Sequence, residues 1–376
     1  MSKPIRLLYI TNSIHGPGGL ERVLSVKARY LQERLGYDVH MASLFGEHEE
    51  PFYDFGTQIS MHYADIPRTL PAYPFQYWRR VNRLLKQVQP DVISVCDDGL
   101  KGMLFPVLFN TPCPVIYERH VSKNAEIGTE TPGLFRRLTT TVKFGLMDYG
   151  GRRFDRFVVL TEGNKKEWNL PNLEVIPNPL SFYPAETELS SLEAPRVIAV
   201  GKQSFQKGYD RLLEAWGKVH ARLPEWHLHI YGSYATAMKL ESLRATLGLN
   251  ACVHFHKPVK DIGSKYQESS LYVMSSRYEG FGMVLTEAMS YGVPCVSFDC
   301  PYGPSDIITD GANGLLVPNG DIEGLANALE SLMANPEKRK AFGAQARKDV
   351  EAYTVGRIGT KWDALFRELL NETQEA

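Results

Sequence analysis

The sequence predicts an α/β fold built as two Rossmann-like, doubly wound parallel-sheet domains facing a cleft. Three observations carry this. Short apolar segments alternate with amphipathic helical stretches from end to end, the pattern of repeated strand–helix–strand units. Most of those segments are continuous rather than alternating, as strands covered on both faces require. A chain of 376 residues carries thirteen of them, too many for one sheet of ordinary size.

In chain order the predicted strands are residues 5–10, 39–44, 59–63, 92–95, 115–117, 157–160 and 175–176, then 197–200, 228–231, 253–255, 271–274, 295–298 and 315–317. Helical patterns occupy 20–35, 209–222, 237–247, 284–290 and 322–334, with a further amphipathic candidate at 358–370. The Pro177-Asn178-Pro179 break, followed by a loosely patterned Glu/Ser stretch, parts the strands into two groups. The expected domains are residues 1–177, with a C-terminal helix at about 358–376 packing back on them, and residues 178–357.

Composition narrows the function. Apolar residues make up 43% and charged residues 23%, which is ordinary for a globular protein. Lys and Arg total 42 against 43 Asp and Glu, a balance that argues against a nucleic-acid partner. No apolar run approaches the ~20 residues of a membrane span, and no cleavage-like site follows the first strand. A cytoplasmic protein is expected. The five cysteines (Cys96, Cys113, Cys252, Cys295 and Cys300) are odd in number, irregular in spacing and without a C-x-x-C. They do not fit a disulfide framework or a structural zinc site, and are expected to be small core residues. The charge balance also hides a split: residues 1–180 carry 22 basic and 19 acidic side chains, and residues 181–376 carry 20 and 24.

Open α/β sheets bind ligands at the carboxyl ends of their strands, where helix N-termini attract phosphate. Three such junctions stand out. Gly16-Pro17-Gly18-Gly19-Leu20-Glu21 follows the first strand, and Gly18 and Gly19 let backbone amides approach an anion. Its spacing is not G-x-G-x-x-G, which counts against a nicotinamide-dependent oxidoreductase. The loop from Gly201 to Gly208 places Lys202 and Lys207 beside one strand end, and two cations there suit a diphosphate. In the third, Glu279 falls just past a strand and Glu287 lies in the next helix, with Gly280 and Gly282 between them. A carboxylate accepts two hydrogen bonds at once, which suits vicinal sugar hydroxyls.

These residues resemble a known family. Glu279 and Glu287 stand as E-x7-E, with K-G-Y-D-R-L-L-E-A-W at 207–216, Gly18-Gly19, Pro-Asn-Pro at 177–179 and E-A-M-x-x-G-x-P at 287–294. Together they resemble the retaining GT-B glycosyltransferases of the family 4, group 1 type, over essentially the whole chain. The resemblance implies that Lys202 and Lys207 hold the donor diphosphate. Lys202 stands where the family usually has Arg, so it keeps the charge but not the bidentate fork. The resemblance also implies that Glu279 contacts hydroxyls of the transferred sugar and that Glu287 binds the nucleotide ribose. Backbone around Phe281, Gly282 and Met283 would meet sugar and phosphates, with Val284 or Leu285 near the nucleotide. His120, in Glu118-Arg119-His120, matches the family's active-site histidine and would contact the donor hexose, while Arg119 orients it or meets the acceptor. Glu279, His120 and Lys207 are thus the expected catalytic residues. The remaining histidines, such as His229, His254 and His256, read as packing residues.

The expected reaction transfers a hexose from a nucleotide sugar, a UDP-sugar in the first instance, to a glycan or polyprenyl-linked acceptor in surface polysaccharide synthesis. The resemblance implies retention of anomeric configuration. The sequence contains no D-x-D, so no metal is expected, and no cofactor, because the nucleotide sugar is a substrate. Two alternatives stay open: a sugar-nucleotide epimerase of the same architecture, which would need no acceptor, and a non-catalytic nucleotide-sugar-binding protein. Residues 134–156 carry Arg136, Arg137, Lys143, Arg152, Arg153 and Arg156 against Asp148 and Asp155, with Leu134, Leu138, Val142 and Leu146 at helical spacing. This segment reads either as a basic amphipathic helix lying on an anionic membrane, at the inner face of the cytoplasmic membrane, or as an ordinary surface helix.

Overall fold

The computed structural model describes residues 3–46, 50–67, 72–123 and 134–375. The chain forms two compact units, Met1–Ser181 together with Val355–Ala376, and Phe182–Thr354. The division falls a few residues beyond the Pro-rich break, and the C-terminal helix starts at Val355.

In the first unit the strands are β1 (Arg6–Thr11), β2 (Asp38–Ser43), β3 (Ser60–Tyr63), β4 (Val92–Cys96), β5 (Val115–Glu118), β6 (Arg156–Val159) and β7 (Leu173–Val175). They pair in parallel in the order β3-β2-β1-β4-β5-β6-β7. The second unit holds β8 (Arg196–Val200), β9 (His227–Tyr231), β10 (Val253–His256), β11 (Leu271–Met274), β12 (Cys295–Asp299) and β13 (Gly314–Pro318). Their parallel order is β10-β9-β8-β11-β12-β13. In each sheet the order reverses beside its first strand, between β1 and β4 and between β8 and β11. Ligand crevices of such sheets open at that point.

The continuous apolar strands are explained by two cores on the first sheet. Leu8, Ile10, Ile93, Val95, Val115, Tyr117 and Phe157 point to one face, under the helices Tyr73–Val88, Phe105–Leu108 and Leu134–Gly151. Their neighbours Leu7, Tyr9, Val39, Val92 and Ile116 point to the other, under Gly19–Leu35 and the C-terminal helix Val355–Glu375. That last helix delivers Ile358, Trp362, Leu365, Phe366 and Leu369 to the core of the first unit. The helix Pro336–Asp349 starts where Asn335 accepts from the Lys338 N–H at 3.0 Å and Pro336 occupies a first-turn position that needs no donor.

Four cysteines are buried, Cys113 is half-buried, and all five are free. The histidines expected to pack do so against one another, at the surface rather than in the core. His227, His229, His254 and His256 are half-exposed on β9 and β10, and pair ring to ring across the strands, with nitrogens 2.9 Å (His227–His254) and 3.0 Å (His229–His256) apart. β10 is the edge strand and β9 its neighbour, and the face that carries these rings is incompletely covered. Among the described residues no helix is long and apolar enough to cross a membrane.

Trp362 is almost fully enclosed against the first sheet. Trp362→Ala should therefore cost about 3–5 kcal/mol. Thermal unfolding of the full chain should show the loss as a Tm drop of roughly 10 °C.

Candidate active site

Two loops meet at the carboxyl edge of the second sheet, beside its switch point. Gly208 has φ 62°, and a Cβ there would fall 2.1 Å from the Ser275 carbonyl oxygen, so no other residue fits between the loops. The Ser275 hydroxyl donates to the Lys207 carbonyl at 2.9 Å. Arg277 completes the junction. Its backbone N–H donates to the Gln206 carbonyl (2.7 Å), and its guanidinium donates to the Phe205 carbonyl (2.7 Å) and, as a fork, to Asp210 (2.9 and 2.6 Å). Burial alone would raise the Asp210 carboxyl, but the Arg277 contacts outweigh it and hold Asp210 below its usual range.

This junction places Lys207 on Glu279. The ammonium lies 2.7 Å from Glu279 Oε1, and the Ser276 hydroxyl donates to the same oxygen at 2.5 Å. Glu279 Oε2 has no protein partner among the described residues. The loop is locked from behind as well. The Glu279 N–H donates to the Pro301 carbonyl (2.8 Å) and the Tyr302 N–H donates back to the Glu279 carbonyl (3.1 Å). A Cβ on Gly303, φ 119°, would lie 2.0 Å from the Phe281 carbonyl oxygen. Gly282 then starts the helix Met283–Ser290 in a left-handed conformation, and no side chain caps it, so the first amides keep their capacity for an acceptor.

The other expected donor residues are distributed around this loop. Lys202 is exposed, and its side chain makes no hydrogen bond or ion pair among the described residues. Glu287 is buried, with the Tyr266 hydroxyl donating to Oε2 at 3.1 Å. Met283 and Val284 are half-buried, whereas Leu285 is sealed in the core beneath Gly282.

The first unit holds a second cluster. Gly18 and Gly19 begin the helix Gly19–Leu35, but the Glu21 side chain folds back over the turn: a Cβ on Gly18 would meet Oε2 at 2.3 Å. Burial pushes the Glu21 carboxyl up. The turn expected to receive an anion thus holds a carboxylate of the chain itself. At the end of β5, His120 Nε2 lies 3.2 Å from Glu118 Oε2, and its backbone N–H donates to Asp98 at 3.3 Å. Glu118 is sealed with Lys27, each 1% exposed and 2.5 Å apart. Arg119 is buried too, its guanidinium donating to the carbonyls of Asp98 (2.8 Å) and Val121 (2.9 Å), so it shapes the loop around His120. Cys96, Glu118 and His120 bring ligand atoms within 4.8 Å of one another, but the Lys27 ammonium already stands where a cation would sit, and the set does not fit a metal.

Lys27, Ser94, Ser276 and the Arg277–Asp210 fork went unnoticed in the sequence. One signal was present for Lys27: it occupies an apolar register position, between Leu24 and Leu31 on the buried stripe of its helix.

The basic segment forms the helix Leu134–Gly151 and the turn after it. The side chains of Leu134, Arg136 and Arg137 lie outside the described residues. Leu138, Val142 and Leu146 are exposed, Lys143 is half-buried, and Arg152 and Arg153 follow the helix. Arg156 differs from the rest, for Glu368 (2.6 Å) and Glu372 (2.8 Å) of the C-terminal helix neutralise it.

Residues 17–181 match the glycosyltransferase family 4 model, and residues 186–349 match the glycosyl transferases group 1 model. The chain belongs to the GT-B glycosyltransferases. This glycosyltransferase is 29% identical over 361 residues to an uncharacterized glycosyltransferase of Haemophilus influenzae, covering 94% of the chain and 98% of the relative. It is also 29% identical over 373 residues to the amylovoran biosynthesis glycosyltransferase AmsD of Erwinia amylovora, covering 96% and 99%. The Anabaena protein HepE, solved with UDP-glucose, has the same fold, with a TM-score of 0.77 at 18% identity over 97% of this chain and 100% of that one. Neither model favours the epimerase alternative.

In this glycosyltransferase burial raises the Glu118 carboxyl, but Lys27 and His120 lower it more, to about 2 from an unperturbed 4.5. A carboxylate depressed by folding stabilises above its unfolded value and loses that contribution as pH falls through the folded one. Urea unfolding should show Glu118→Gln lacking a stability increment, on the order of a few kcal/mol, that the unsubstituted chain keeps above pH 4.5 and loses toward pH 2. Parallel pH profiles for the two proteins would exclude the ion pair as its source.

Proposed function

We propose that this glycosyltransferase moves a hexose from a UDP-sugar to a lipid-linked glycan, with retention and without a metal ion. The observation that carries the reading is the Lys207–Glu279 contact in front of an uncapped helix start. Cleaving the anomeric C–O bond leaves a diphosphate with additional negative charge, which the site must stabilise as it develops. Lys207 exchanges its carboxylate partner for the diphosphate, Lys202 supplies a second cation, and the amides after Gly282 supply a dipole. Glu279, released from Lys207, accepts hydrogen bonds from the hydroxyls of the transferred hexose. Glu287 receives the ribose, and His120 meets a substrate hydroxyl. HepE, solved with UDP-glucose, supports the donor class, and AmsD, named for amylovoran biosynthesis, supports a polysaccharide product.

The donor is found with a panel of UDP-Gal, UDP-GalNAc, UDP-Glc, UDP-GlcNAc and GDP-Man against glycan and lipid acceptors. With the donor so selected, Glu279→Ala and Lys207→Ala each reduce turnover by about 10²-fold or more, with the circular-dichroism spectrum unchanged. EDTA leaves the rate as it was, and the product keeps the donor's anomeric configuration by proton NMR. Full activity of either variant, EDTA inhibition or an inverted product each removes the corresponding part of the mechanism.

The lipid-linked acceptor is supported by the outer layer of helices on the first unit. Phe75, Trp78, Val107, Leu108, Leu138, Val142, Leu146 and Tyr149 are all exposed there, Trp78 by 52% and Leu138 by 63%. The two helices on the opposite face of that sheet expose no large apolar side chain among the described residues. Exposed Arg79, Arg83 and Lys86 lie on the same layer in a helix without an acidic residue, and Lys143, Arg152 and Arg153 add to them. An apolar face ringed by cations fits an anionic bilayer, where each Lys or Arg contributes about 1 kcal/mol. The enzyme then works at the inner face of the cytoplasmic membrane. Co-sedimentation with phosphatidylcholine vesicles should rise steeply when phosphatidylglycerol is added, and Trp78→Glu with Leu138→Glu should abolish it. Binding indifferent to the anionic lipid would exclude this docking face.

A further inference from the structure

We propose that the buried Lys27–Glu118 pair fixes His120 as the Nε2-protonated tautomer, so that its Nδ1 is a hydrogen-bond acceptor reserved for a substrate hydroxyl. The inference rests on the reading of His120 as a substrate-facing residue and assigns it a chemical sense that the reading leaves open.

Glu118 closes β5 in a fully enclosed position. Its Oε1 accepts from the Ser94 hydroxyl at 2.5 Å, and its Oε2 takes the Lys27 ammonium at 2.5 Å. The ammonium is boxed between two aromatic rings, with Tyr9 5.0 Å away and Trp362 of the C-terminal helix 4.0 Å away. A cation so enclosed keeps its partner ionised, and in Glu118 the Lys27 charge, with the hydrogen bond received from His120, opposes burial. An ionised carboxylate only accepts hydrogen bonds. His120 Nε2, 3.2 Å from Glu118 Oε2, must therefore carry the hydrogen.

The consequence falls on the other ring nitrogen. In a neutral imidazole whose Nε2 bears the proton, Nδ1 carries a lone pair and nothing else. His120 Nδ1 is enclosed and has no hydrogen-bond partner among the described residues, while the side chain as a whole is only 6% exposed. A buried polar atom left unsatisfied is costly and points to a partner supplied from outside. That partner must donate. A sugar hydroxyl qualifies, and an ionised phosphate oxygen does not. Lys27, Glu118, Ser94 and Trp362 are positioning residues in this arrangement, because they act only through His120.

The wild-type chain tests this without any ligand. Histidine labelled with 15N and read by long-range proton–nitrogen correlation should show His120, identified by its absence in His120→Gln, as the Nε2-protonated tautomer. Glu118→Gln, which can donate as well as accept, should leave a mixture of tautomers. A wild-type ring protonated at Nδ1, whether there alone or on both nitrogens, overturns the proposal. Turnover with the donor selected above supplies the second readout. His120→Asn places an amide near the Nδ1 position and should stay within about tenfold of wild type, whereas His120→Gln, with its amide near Nε2, should lose roughly 100-fold. Equal losses in the two variants overturn the acceptor role. Full turnover of His120→Ala instead removes His120 from the site, which is a failure of the functional reading and leaves the tautomer measurement standing.

Discussion

A parallel strand buried on both faces must be re-entered from the same end every time, so each connection crosses a face and begins at the carboxyl edge. Everything else in this glycosyltransferase follows from that constraint. Both faces of the first sheet need helices, and the chain supplies the last of them from its far end, where Ile358, Trp362 and Phe366 complete the core beside β1. The same geometry collects the loops after β8 and β11 at one edge, and those loops carry Lys207 and Glu279.

Two lysine–glutamate pairs show how burial divides structure from chemistry. Lys27 and Glu118 are sealed, boxed by aromatic rings and tied to Ser94, so neither charge can leave without stranding the other in a medium of low dielectric. Lys207 and Glu279 lie at a similar distance, 2.7 Å against 2.5 Å, but retain access, at 18% and 8% side-chain exposure. On the proposed mechanism each exchanges its partner for a ligand group of the same sign. The contact distance alone does not distinguish these pairs; their surroundings do.

Much of this was legible in the residues. Each of the thirteen apolar runs overlaps a strand among the described residues, most fully at β1, β4 and β11, where cover on both faces leaves few polar positions to blur the pattern. Glu279, Gly282 and Glu287 stood out in the sequence by their fixed spacing at a strand-to-helix junction, and the structure places them on one loop and the helix it begins. Arg119 was legible as a residue near His120 but not as a buried one, since its carbonyl partners at Asp98 and Val121 depend on how the loop folds. The histidines of β9 and β10 looked like packing residues and do stack on one another, but in a half-buried row, because the pairing of these strands beside the sheet edge is a property of topology.

The sequence by itself determined the alternation of strands and helices, the division into two sheets and the chemical inventory of the loop that carries Glu279, since periodicity and local spacing are written along the chain. Only the tertiary structure decided which charges face one another. Lys27 and Glu118 are ninety-one positions apart, Lys207 and Glu279 seventy-two. Such pairs form where separate segments converge, and no local pattern encodes that convergence. The outward-facing row of Leu138, Val142 and Leu146 was decided there too, for helical spacing defines a stripe, whereas packing against the sheet decides which stripe is covered.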